Sequence, residues 1–182
     1  MNTGQTILTV GALAMLSIIT LTYYKSIGSA GRTISKNNAD FMETTIATSF
    51  LERVENCAFD MCADTMTIPV ADSTRFSPPS KLGRKSWQSS SDYTTFQWVD
   101  DFAGDVITYS PGWMNETYSV LFDVYYVNPW GNNINTKLTT KQSFLKRIDV
   151  KVWRTWPPDT TESKVDTVTM SALHGFYFYN PI

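Results

Sequence analysis

The sequence predicts an α+β protein, a long N-terminal α-helix with an apolar first half packed on an antiparallel β-sheet head. Three observations predict it. Residues Thr6 to Tyr24 contain no Asp, Glu, Lys or Arg and are mostly Ile, Leu, Val, Ala or Met. Helical periodicity resumes from Thr33 to Glu55 at lower hydrophobicity, and no proline occurs before Pro69. Past Asp92 the chain becomes a series of short aromatic and β-branched runs separated by turn residues, with no helical pattern between them. The organisation expected is an assembly or transmembrane helix over 1–56 and a β-rich head over 57–182.

The apolar stretch is long enough, at about 1.5 Å per residue, to cross most of a hydrocarbon core of about 30 Å. A cleaved signal peptide would need a basic n-region, and Met1 to Gln5 carries no Lys or Arg. A plain membrane anchor meets a conflict of charge. The first basic residues are Lys25, Arg32 and Lys36, which the positive-inside rule places on the cytoplasmic side, whereas the head has the composition of an exported domain. A basic leader, removed before Met1 after insertion, would resolve the conflict.

The third reading is an assembly helix. At about 100° per residue, Thr6, Thr9, Leu13, Ser17, Thr20 and Tyr24 share one narrow face, with Leu16 beside it and Gly4, Gly11, Ala12 and Ala14 nearby. Small and hydroxylated residues let helices approach closely and bond across the contact. The competing reading is that the hydroxyls bond back to their own helix. Farther on, Ile34, Phe41, Met42, Ile46, Phe50, Leu51 and Val54 recur at helical spacing, leaving Lys36, Asn37, Asp40, Glu43 and Arg53 for water. Gly28 and Gly31, each costing about 1 kcal/mol relative to Ala, mark 26–33 as the expected joint.

An apolar half-helix that continues as an amphipathic one into a β-rich head resembles the type IV pilins and their pseudopilin relatives. The closing run Lys146 to Trp153, followed by Asp166 to Ser171, is similar to the last strands of many pilin-like proteins. Gln5 departs from the family, which carries a glutamate at the fifth mature position. The resemblance implies a processed, N-methylated Met1 and a structural role. The subunit would sit in the inner membrane before assembly, and its partners would be copies of itself in an extracellular helical filament on the cell surface. A pseudopilin of a secretion machine, or a monomeric membrane-anchored periplasmic or surface protein, are the alternatives.

The remaining composition narrows the chemistry. A formal net charge of −2 is unsuited to neutralising phosphates, so no nucleic-acid partner is expected. Two cysteines and one histidine cannot furnish a four-ligand zinc site, and no enzyme activity or cofactor is expected. Cys57 and Cys62 would point about 140° apart on a continuous helix, so the helix must end if they are to bond. In an exported protein we expect a disulfide clamping the helix exit, the other reading being two buried thiols.

Residues 65–91, rich in Ser, Thr, Pro and Lys, read as a surface connection. Strands are expected over Tyr93–Val99, Val106–Tyr109, Tyr118–Val127, Phe144–Trp153 and Val165–Ala172. Turns are expected at Gly104-Asp105, residues 129–133 and residues 157–159. Phe176 to Tyr179 would form a last strand or an aromatic lid. Asp100, Asp101 and Asp105 lack calcium-loop spacing and read as a solvated turn. Trp153 and Trp156 are the most suggestive pair for a surface or glycan ligand, although core and interface packing explain tryptophans more often. His174 reads as structural, and Asn115-Glu116-Thr117 is a glycosylation sequon.

Overall fold

The computed structural model describes residues 2–64, 72–89, 92–112, 115–130, 134–156 and 166–176. Met1, Val165, Tyr177 to Tyr179, the turn at 157–159 and residues 131–133 of the preceding turn lie outside them.

Helix α1 runs from Thr3 to Glu55 without interruption, through Gly28 and Gly31. The expected joint at 26–33 is therefore helical here, and neither glycine is required by a positive φ or by close contact. The chain divides into two compact units, Met1–Phe41 and Met42–Ile182. The last turns of α1 thus belong to the head, because their apolar face is its core.

That face consists of Ile46, Ala47, Phe50, Leu51 and Val54, all buried. Their spacing of three and four residues is one helix stripe. It packs against a five-stranded antiparallel sheet composed of β1 (Val106–Tyr109), β2 (Thr117–Val127), β3 (Lys137–Leu138), β4 (Leu145–Trp156) and β5 (Val168–Gly175). The order is β1-β2-β4-β5, and β3 caps one end of β2. Core positions alternate along the two central strands: Tyr118, Val120, Phe122 and Val124 on β2, and Ile148, Val150 and Val152 on β4. Phe50 meets Phe122 edge to face with ring centroids 5.7 Å apart, joining helix to sheet at the centre of the core.

Four of the five expected strands are present, Val106–Tyr109 with the expected ends and the others shifted by one to three residues. The fifth, Tyr93–Val99, is replaced by 3₁₀ turns at Tyr93–Thr95 and Val99–Phe102. The cause is local. Asp92 Oδ1 accepts the Thr94 N–H at 3.3 Å, and Asp101 Oδ2 accepts the N–H groups of Gln97 and Trp98 at 3.3 Å each. These carboxylates offer the backbone a partner that a sheet would otherwise supply. The region expected as a plain connection holds further 3₁₀ turns, at Ser73–Arg75 and Pro79–Lys81.

The cysteines are unbonded, which corrects the expected disulfide. Cys57 lies just past the end of α1 and turns its thiol back to the Arg53 carbonyl at 3.4 Å. Cys62 stands on a short helix α2 (Met61–Asp64), with Sγ 3.7 Å from Ser77 Oγ. Burial pushes the Cys57 thiol above its ordinary range, which keeps it protonated.

Candidate assembly helix and the charge cluster in the head

The first unit carries the candidate assembly residues, and all of them are exposed. Ile7, Leu8, Val10, Leu13, Met15, Leu16, Ile18, Ile19 and Leu21 each leave more than half of their surface open, Leu13 at 58% and Leu16 at 60%. A soluble protein rarely exposes so many contiguous aliphatics without a partner or a lipid environment. The helix is long and apolar enough to cross a membrane.

Its hydroxyls are already engaged. Thr9 donates to the Gln5 carbonyl, Ser17 to Leu13, Thr20 to Leu16 and Thr22 to Ile18, each at 2.8 Å. At Thr9, Ser17 and Thr20 the stripe therefore presents small side chains with satisfied donors, suited to close packing rather than to hydrogen bonding across a contact. Tyr23 and Tyr24 meet edge to face at the end of this stretch, with centroids 6.4 Å apart. No Cβ placed on Gly4, Gly11, Gly28 or Gly31 would meet a neighbouring atom within 4 Å.

The head contains a group of buried charges that sequence patterning did not bring together. On β4, the alternation that buries Ile148, Val150 and Val152 also turns Lys146 inward, and its side chain is 0% exposed. Opposite it on β2 stands Tyr126, and on β5 His174. Lys146 Nζ lies 2.9 Å from Asp60 Oδ2 and donates to the Phe59 carbonyl at 2.6 Å. The Phe59 and Tyr126 rings lie 4.4 and 5.1 Å from the same nitrogen.

Asp60, also 0% exposed, is surrounded by donors. Its Oδ1 accepts the Cys62 N–H at 2.9 Å, the Ser77 N–H at 3.1 Å and the Ser77 hydroxyl at 3.0 Å. The Tyr126 hydroxyl lies 3.0 Å from Oδ2 and 2.9 Å from the Ser77 carbonyl, and its single proton serves one of them at a time. Burial pushes the Asp60 carboxyl up, but the Lys146 ammonium and these donors outweigh it and hold it below the usual range. Burial pushes the Lys146 ammonium down, and the carboxylates of Asp100 and Asp60 offset this only in part.

Asp100, Asp101 and Asp105 do not form the solvated turn that the sequence suggests. Asp100 and Asp101 are fully buried in the 3₁₀ turn. Asp100 pairs with Lys85 at 3.2 Å, Asp101 accepts the Gln88 amide at 2.7 Å, and Asp105 lies 3.7 Å from Arg84. Desolvation raises the Asp100 carboxyl above its ordinary range. Among the described residues no group of three His, Cys, Asp or Glu side chains is placed to hold a metal ion. Glu43, expected to face water, is likewise buried and accepts the Arg154 N–H at 3.1 Å.

Trp153 is half-buried and Trp156 is exposed at the end of β4. A different pair, Trp87 and Trp98, lines a shallow cleft with Asp92, Thr95 and Gln97. His174 stacks on Phe59 at 5.9 Å, and Phe176 covers Phe59 and Phe76, giving a lid rather than a further strand at that residue. Asn115 is exposed just before β2. Comparison of the chain with protein-family models, with curated proteins and with solved structures gives no match.

Proposed function

We propose that this chain is a structural, pilin-like subunit of an extracellular helical filament, held in the membrane by its N-terminal helix before assembly. The observation that carries the reading is the contrast between the two units. The head closes its own core with residues from Ile46 onward, whereas the apolar surface of residues 7–21 is open throughout. Surface of that kind is stabilised by burial against lipid or other helices, in water by about 25 cal/mol per Å². Identical subunits joined by a repeated heterologous contact generate an open helical polymer.

Negative-stain imaging of cell-surface material tests this. Leu13→Asp or Leu16→Asp should abolish filaments while the head keeps its near-ultraviolet circular dichroism. Normal filaments from either variant would rule the reading out. One observation favours a second reading, a monomeric membrane-anchored protein: the hydroxyls of Thr9, Ser17 and Thr20 are bonded within their own helix, as they would be facing lipid. That reading expects single detergent-solubilised particles and no fibres from the unmodified chain.

A further inference from the structure

The head holds an amine and a carboxyl group in contact, both withdrawn from water, between a central strand and the helix exit. Lys146 Nζ and Asp60 Oδ2 are 2.9 Å apart, and both side chains are 0% exposed. They join residues 86 positions apart in sequence, one on a central strand and the other just after the long helix ends. We propose that Lys146 Nζ condenses with the Asp60 side-chain carboxyl to form an intramolecular amide, a covalent staple between β4 and the helix exit. This inference does not depend on the filament reading.

The chemistry balances without a co-reactant. The ammonium passes a proton along its hydrogen bond to Asp60, leaving a neutral amine beside a neutral acid. The nitrogen then attacks Asp60 Cγ, and the tetrahedral adduct expels one former carboxylate oxygen. Of the three ammonium protons, two leave with that oxygen as water and one remains on the amide nitrogen. Nothing is oxidised or reduced.

The site assists each step. Desolvation acts on both groups toward the neutral form; it prevails at Lys146, whereas at Asp60 the ammonium and the N–H donors outweigh it. The ion pair remains the resting state, so the reaction draws on the minor neutral pair and is a slow maturation step. The N–H groups of Cys62 and Ser77 and the Ser77 hydroxyl, which hold Asp60 Oδ1, also face the oxygen that becomes negative in the adduct. The rings of Phe59 and Tyr126 surround the amine with apolar surface, and a dry site disfavours the reverse step, hydrolysis of the amide. Well-oriented intramolecular groups reach effective concentrations on the order of 10⁵ M or more.

Intact-mass spectrometry of the full chain, purified in detergent and allowed to stand, decides the matter. The expected mass is lower than that of the sequence by one water. Proteolysis should then yield a branched peptide joining the segments around residues 60 and 146, and Lys146→Arg should retain the full mass. A folded chain at its full sequence mass would overturn the proposal. So would a water loss that maps to any other position, as in a cyclic imide. Because the unsubstituted chain decides, a variant that fails to fold leaves the test intact.

Discussion

At the residue scale, the head is organised by polar side chains placed where apolar ones would ordinarily stand. Lys146 occupies the next inward position of the run Ile148, Val150, Val152. That placement was legible in the alternation of β4, but lysine's preference for water argued against it. Asp60 was hidden differently. It lies between Cys57 and Cys62, where the spacing directs attention to a disulfide, and only the fold brings it to Lys146. His174 reports on the same cluster. Burial and then the Lys146 charge lower its pKa below the ordinary 6.5, while Glu55 acts in the opposite sense. The folded state therefore prefers neutral His174, and the unfolded chain takes up a proton first as pH falls. Its contribution to stability is full above about 6.5 and is lost as pH drops through the lower folded value. Thermal melts across this range should show the decline, and His174→Phe, which keeps a ring on Phe59, should make it shallower. Parallel pH profiles for the two proteins would show that His174 is not the titrating group.

At the element scale, periodicity was a good guide to the stretches that bury one face and a poor one elsewhere. Ile46, Phe50, Leu51 and Val54 were expected to pack and do so, while Phe41, placed in the same stripe, is 71% exposed. The strand expected at 93–99 failed because its aromatic and β-branched composition fits a pleated surface, whereas Asp92 and Asp101 bind its backbone locally. The joint at 26–33 is expected from the low helix propensity of Gly28 and Gly31 with Ser26, Ser29 and Thr33 beside them, and α1 runs through it as continuous helix. Gly28 and Gly31 have open space around Cα, so both accept a methyl group without collision. Replacing the two with Ala should therefore strengthen the helix by about 1 kcal/mol at each site and leave the head's melting temperature unchanged. If assembly requires this segment to unwind, filament yield should fall in the same variant. Undiminished filaments would show that the helix enters the polymer as it stands.

At the scale of the whole molecule, two parts of one chain are suited to different solvents. The described core runs from Ile46 on α1, through the 3₁₀ turn at Val99–Phe102, to Val152 on β4, and every residue in it belongs to the second unit. A second aromatic cluster of Phe59, Phe76 and Tyr126, with Phe176 packed on it, closes the end of the sheet that holds the Lys146–Asp60 pair. Helix residues 3–38 are exposed, and the hydroxyls of Thr9, Ser17 and Thr20 bond within the helix itself. Removing this stretch takes away the exposed apolar surface and leaves the head's core complete. Residues 34–182, which retain about three helical turns ahead of Ile46, should accordingly be soluble without detergent, monomeric, and as resistant to thermal unfolding as the full chain in detergent. Size-exclusion chromatography and circular dichroism read both properties. A truncated chain that aggregates or loses its near-ultraviolet signal would mean that the first unit is part of the folding unit. A chain that folds but still polymerises would move the assembly surface from the helix to the head.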